Sequence, residues 1–309
     1  MILLGQAEVE ELLDPDELIA ALERAFVALS SGKAEAPPRL AVPSGGGYLL
    51  AMPGCVDGTL ATKLVTIFPE NHAAGRPSHQ ALIAVFDPED GTPIGVLDGT
   101  YITAVRTAVT SALAARLVAR SDARSLLVIG AGTQGRAHVE MFRSLLELDD
   151  IVLAGRNSDS ARGVADDLGV RYSASLEEAV ASADIICACT HSAAPLFPHE
   201  WLRPGVHVSS VGAADGRELD AATIAAGLLV VESRAAFAPY PVGARDLEGV
   251  DPAAAVELGE LISGSRPGRT SADEITVFKS VGNAVEDAVA AALVLERAAG
   301  QSRGLSVSL

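Results

Sequence analysis

The chain has 309 residues, 49% of them hydrophobic and 20% charged, with a formal net charge of −17. This is the profile of a folded globular protein with material for one large or two ordinary domains. So acidic a surface repels phosphate backbones and anionic lipid, which argues against nucleic-acid and membrane partners.

Three cysteines occur, Cys55, Cys187 and Cys189. The C-A-C spacing of the last two, inside an apolar run, suits neither a disulfide nor a zinc knuckle, and no metal site is expected. The first residues, MILLGQAEVEELLD, turn acidic at once, unlike a secretory signal. No apolar run reaches the roughly 18 residues of a membrane span, so a cytoplasmic protein is expected.

In chain order, DPDELIAALERAFVALSS predicts an amphipathic helix over 14–31, with Asp14 as its cap and Pro15 at its first position. Short apolar runs broken by turn residues follow: RLAVP, GYLLAMP, TLATKLVTIFP and HQALIAVFD. Across the turn DPEDGTP, ALIAVFD and PIGVLDG read as a hairpin. A helix is predicted from about Thr103 to Ala119, so the first third reads as antiparallel α+β. From Ser125 the β runs SLLVIG, DIVLAG, DIICACT, HVSSVG and LLVVES alternate with helical segments, which predicts a doubly wound parallel sheet. DEITVFKSVGNAVEDAVAAALVLERAAG reads as a loop leading into a long helix. The fold class is therefore α/β, a Rossmann-type sheet over 121–280. A separate α+β domain covers 1–120 and is joined by the helix over 281–309.

LLVIGAGTQGRAHV places Gly130, Gly132 and Gly135 in G-x-G-x-x-G spacing directly after a strand, with Thr133 and Gln134 at the start of the helix that follows. Gly130 permits the tight turn, Gly132 lets backbone approach a pyrophosphate, and Gly135 lets helix and strand pack closely. The helix start offers free N–H groups to phosphate. At the end of the next β run, where an acid would bind the ribose 2′-hydroxyl of NAD, stand Arg156, Asn157 and Ser158. Arginine there can neutralise a 2′-phosphate, stack on the adenine or only face solvent; NADP is favoured over NAD.

In TLATKLVTIFP, Lys63 shares a strand face with Ala61, Val65 and Ile67. One reading is an edge-strand lysine that deters aggregation. The other is functional, because Arg39 and Arg106 also sit in apolar company. Three such cations in an acidic chain suit either a shared anionic ligand, a carboxylate above all, or three separate ion pairs. A desolvated lysine beside arginines loses its proton readily and can serve as an acid/base group.

APPR, AMP, TKLVTIFPEN, RPSHQ, VRTAVTSALA, GAGTQGR and DEITVFKSVGNAVEDAVAA together resemble, in order, the pattern of the ornithine cyclodeaminase/mu-crystallin family, over residues 36–292. The resemblance implies a homodimer built through the N-terminal domain and a Rossmann domain that binds NAD or NADP. It also implies that Arg39, Lys63 and Arg106 hold a substrate carboxylate, and that Thr190, Val211 and Ser280 line the nicotinamide end. Two positions depart from the pattern. Leu50 stands where cyclodeaminases carry a glutamate for the distal amine. VGAADGREL replaces a longer loop whose aspartate is an acid/base, leaving Ala214 at the expected place and Asp215 one residue later; Arg217 stands in for the motif's lysine. The resulting expectation is an NAD(P)H-dependent reductase of small imino acids or the reverse amino-acid dehydrogenase, with Lys63 and Asp215 as catalytic candidates. The alternatives are ornithine cyclodeamination and a non-catalytic, crystallin-like binder of small ligands.

Overall fold

The computed structural model describes residues 1–212 and 216–308, the side chains of residues 72 and 73 excepted. In chain order the elements are β1 (Ile2–Leu4), α1 (Gln6–Leu12), α2 (Pro15–Ser30), β2 (Leu40–Ser44), β3 (Gly47–Val56), β4 (Thr59–Ile67), β5 (His79–Phe86), β6 (Pro93–Asp98) and α3 (Gly99–Val118). There follow β7 (Ser125–Ile129), α4 (Thr133–Leu145), β8 (Asp150–Ala154), α5 (Ser158–Leu168), β9 (Arg171–Tyr172), α6 (Leu176–Ser182), β10 (Ile185–Ala188) and β11 (His207–Ser210). Last come α7 (Ala221–Ala225), β12 (Leu228–Val231), β13 (Val256–Glu257), α8 (Leu258–Ile262), β14 (Thr276–Lys279), α9 (Ala284–Gln301) and β15 (Leu305–Ser306). Two compact units result, Met1–Arg106 with Gly282–Leu309, and Thr107–Val281. No helix among the described residues is long and apolar enough to cross a membrane.

The first unit is built on a seven-stranded sheet ordered β15-β1-β6-β5-β4-β3-β2. The hairpin of β5 and β6 forms as the turn residues dictate. Helix α2 starts at Pro15, with the Asp14 carboxylate accepting from the amides of Asp16 and Glu17. Helix α3 begins four residues before the expected start, because Asp98 Oδ2 accepts from Tyr101 N and anchors the first turn despite its glycine and β-branched residues. One face of β4 turns Ala61, Lys63 and Val65 inward, and α9 packs across that face of β3, β4 and β5. Gly54 is needed for this: a Cβ there would lie 2.9 Å from that of Ala284.

The second unit is an eight-stranded, wholly parallel sheet ordered β13-β12-β14-β11-β10-β7-β8-β9. The chain leaves the central β7 toward β8 and returns on its other side with β10, so the topological switch falls between β7 and β10. Ligands of such sheets bind outside the carboxyl ends of the strands at that point. Strand β14 corrects the expectation of a loop leading into the last helix. TVFK is only four residues long and ends in lysine, yet it lies buried between β11 and β12.

Candidate active site

Each unit carries one set of the residues singled out by sequence. In the second unit, the glycine-rich turn follows β7. Gly130 has φ +125°, and a Cβ on it would meet Cys189 O at 2.5 Å. A Cβ on Gly135 would fall 1.8 Å from Gly130 O, so backbone replaces side chain where helix and strand meet. Gly132 is different: nothing lies within 4 Å of the position its Cβ would take, leaving backbone open to an approaching group. The amides of Thr133 and Gln134 lie in the first turn of α4, where a helix has no internal acceptor for them. Gln134 Oε1 is buried without a hydrogen-bond partner among the described residues. Bare backbone and a helix start fit a dinucleotide pyrophosphate.

Beneath this turn, His138 Nδ1 lies 2.7 Å from Gln134 O and Nε2 lies 3.0 Å from Ser111 Oγ. Burial pulls its pKa down to about 4, so the ring is neutral and structural. Arg156 is exposed just beyond β8. Asn157 Oδ1 accepts from Ser160 N at 2.9 Å and caps α5, so a helix already takes up the acceptor half of that side chain.

Thr190, Val211 and Ser280 lie just past the carboxyl ends of β10, β11 and β14. The sequence reading missed what holds them. Glu218, 2% exposed, takes Thr190 N at 2.8 Å and Thr190 Oγ1 at 2.7 Å on one oxygen. Its other oxygen takes Ser210 Oγ at 2.7 Å and Gly212 N at 2.9 Å. Lys279, fully buried, reaches Ser210 Oγ and Gly212 O at 2.8 Å each and Asp246 Oδ2 at 3.1 Å. Ser280 Oγ donates to Glu232 Oε1 at 2.5 Å. Burial of these charged groups in strand tips is the only signal for them, and it exists only in three dimensions. Val211 is held by its own amide, which donates to Ala188 O. Asp215 lies outside the described residues, with Ala213 and Ala214. Arg217 donates to Glu248 O at 3.3 Å.

In the first unit, Lys63 and Arg106 do meet on a common anion, but it is the chain's own. Lys63 Nζ lies 2.9 Å from Asp287 Oδ1 and 2.8 Å from Oδ2. Arg106 places Nε 3.3 Å from Asp287 Oδ1 and Nη1 3.1 Å from Glu286 Oε2. All four side chains are at least 95% buried. Asn283 caps α9 and its backbone N–H donates to Glu286 Oε1 at 2.6 Å; Glu286 and Asp287 both stand in the first turn, where the helix dipole favours negative charge. Gly282, at φ +79°, lies against Arg106: a Cβ there would fall 2.6 Å from Nη2.

Desolvation lowers the Lys63 pKa to about 8; the Asp287 carboxylate opposes that shift and the Arg106 guanidinium adds to it. Arg39 directly precedes β2. Strand β2 pairs with β3 from Leu40↔Ala51 onward, and next to that pair Met52 faces Lys63, which in turn faces Ile83. Leu50, 1% exposed, sits with Met52, Val65 and Ala284 in a small apolar cluster. No group of three acidic, histidine or cysteine side chains able to hold a metal ion occurs among the described residues.

A glycine-rich turn at the switch point of an all-parallel sheet defines a Rossmann-type dinucleotide-binding protein. The chain belongs to the ornithine cyclodeaminase/mu-crystallin family, whose sequence model matches residues 1–302. It is 38% identical over 305 residues to ketimine reductase mu-crystallin of Mus musculus, covering 95% of this chain and 96% of that protein. Among solved structures it is similar to Thermococcus litoralis Δ1-pyrroline-2-carboxylate reductase in complex with NADH and L-proline, at 34% identity and a TM-score of 0.93 over 99% of this chain and 100% of that one. It is also similar to an archaeal alanine dehydrogenase dimer with bound NAD, at 30% identity and a TM-score of 0.91 over 100% of this chain and 99% of that one.

Proposed function

We propose that this chain is an NAD(P)H-dependent reductase of small α-imino acids, of the ketimine or Δ1-pyrroline-2-carboxylate type, which also runs as an amino-acid dehydrogenase in reverse. The observation that carries this reading is the meeting of two buried cations, Lys63 and Arg106, in an otherwise acidic chain, with burial lowering the Lys63 pKa to about 8, where an acid/base group works. The relatives named above act on, or are bound to, amino and imino acids with such a carboxylate. The apolar surroundings of Leu50 favour substrates without a second amine and disfavour ornithine cyclodeamination.

In this reading Arg39 and Arg106 hold the carboxylate and so orient the imino carbon. Reduced nicotinamide, when bound at the glycine-rich turn, supplies the hydride. Lys63 gives the balancing proton from Nζ to the imine nitrogen and is reprotonated from water. Thr190 and Ser280, held by Glu218 and Glu232, line the nicotinamide end, and Asp215 remains a second acid/base candidate. Exposed Arg156 favours NADP through the 2′-phosphate.

The sheet face turned away from α9 supports a homodimer. On two alternate rungs it exposes Leu40 (68%), Val42 (58%), Leu49, Leu64 and Leu82, neighbouring large apolar side chains of the kind that mark a protein–protein contact. Sedimentation should give a dimer, and Leu64→Glu should give a monomer.

The deciding assay follows absorbance at the nicotinamide band while crossing NADPH and NADH with Δ1-pyrroline-2-carboxylate, Δ1-piperideine-2-carboxylate, and pyruvate plus ammonia. Oxidation with at least one imino acid is expected. Oxidation with none of them, or sustained ammonia release from L-ornithine with catalytic NAD⁺, would overturn the reading.

A further inference from the structure

Nothing in the reading above requires Asp287 to do more than neutralise charge, yet its placement goes further. Its two oxygens lie 2.8 and 2.9 Å from one ammonium, and Oδ1 also stands 3.3 Å from Arg106 Nε. The other groups around Lys63 are few. Its partners on the same rung, Met52 of β3 and Ile83 of β5, are apolar and buried. Helix α3 presents the Arg106 cation, α9 presents Glu286 and Asp287, and Arg39 directly precedes β2. Of these, only Asp287 touches the ammonium; it opposes desolvation and the repulsion from Arg106 most strongly, and Glu286 opposes them less. Glu286 is committed elsewhere, with Oε2 on Arg106 and Oε1 on the α9 cap.

We propose that Asp287 is a positioning residue that aims Lys63 and holds it as an ammonium, so that this one carboxylate decides how alkaline the medium can become before imine reduction stops. The inference rests on the reductase reading for its consequence in turnover, though not for the state of the lysine itself. In the step concerned, the imino carbon takes a hydride and the imine nitrogen takes the Nζ proton, leaving neutral Lys63 beside an ionised Asp287. A lysine that has already lost its proton cannot complete that step. Reduction is therefore fully present below the Lys63 pKa and falls as pH rises through it.

Two readouts on the full-length protein test this. The first is the titration of Lys63 Nζ by NMR of ¹⁵N-lysine-labelled protein, the resonance being assigned by its absence from Lys63→Met. The second is the pH profile of reductive kcat/KM. In Asp287→Asn both the titration and the alkaline limb of the profile should move at least one pH unit lower, while NADPH binding stays within twofold of the parent. Glu286→Gln, which keeps an acceptor for Asn283 N, should move both the same way by less, and Asp287→Glu should bring both back toward the parent. A titration that does not move in Asp287→Asn overturns the proposal; if that variant does not fold, an unmoved titration in Glu286→Gln does so. If the titration shifts in a protein that oxidises NADPH with no imino acid, the role of Asp287 stands and the reductase reading falls.

Discussion

Lys63 in β4 and Lys279 in β14 are both buried lysines on strands, each with a carboxylate within about 3 Å, yet their surroundings differ. Lys279 has a complete set of acceptors: a hydroxyl, a carbonyl and the Asp246 carboxylate. An ammonium has three hydrogens, and here each has a partner. That lysine is a clamp on the tips of β11 and β14. Lys63 has the Asp287 carboxylate as its acceptor among the described residues, and a guanidinium shares it. Its charge is contested, and contested charge is what acid/base chemistry needs. Burial of a lysine is therefore not by itself a functional sign; the completeness of its hydrogen bonding separates the two roles.

Substituting each lysine should separate these roles. Lys63→Met should lower reductive kcat/KM about a thousandfold, because the proposed general acid is lost. Its thermal midpoint should change little, since Asp287 keeps Arg106 as a partner. NADPH binding, measured by fluorescence, should be unaffected. Lys279→Met should do the reverse. It leaves Asp246 buried without its cation and should cost about 4 kcal/mol in denaturant unfolding. A Lys63→Met protein that unfolds, or a Lys279→Met protein of normal stability, would break the comparison.

The buried histidines of the second unit sharpen it on the acid side. His138 and His207 are held neutral, with pKa values of about 4 and about 3, chiefly by burial. The unfolded chain protonates both near 6.5, so it binds more protons than the folded chain between that value and the folded ones. Stability is full above about pH 6.5 and is lost as pH falls toward 4, by on the order of 3 kcal/mol for each histidine. Urea midpoints measured from pH 7 to pH 4 should decline throughout that window. The smallest effect is expected at the exposed rim of the nucleotide site. Arg156→Ala should lower kcat/KM with NADPH about tenfold and leave NADH unchanged, because a 2′-phosphate loses its cation.

Much of this was legible in local pattern. Period-two alternation puts Lys63 on the inward face of its strand, and β4 turns it there with Ala61 and Val65. The spacing of Gly130, Gly132 and Gly135 leads to a turn in which one glycine bears positive φ, one leaves open backbone and one lets helix meet strand. Asp14 and Pro15 mark a helix start because caps act within a few residues. Strand β14 was not legible, since four residues ending in lysine carry too little periodicity. Strands β1 and β15 are shorter still: β1 is held between β6 and β15, and β15 pairs with β1 alone among the described strands. No local pattern marks Glu218, Glu232 or Asp246, and only burial against strand tips makes them structural.

The sequence by itself determined the dinucleotide turn, the alternation of strand and helix, and the inward direction of a lysine, because each follows from contacts between near neighbours along the chain. Only the tertiary structure decided what that lysine meets. Asp287 lies 224 residues further on, brought to Lys63 by a helix that packs across the sheet. No local pattern records such a pairing, because the distance that makes it an ion pair is set by the packing of the whole unit.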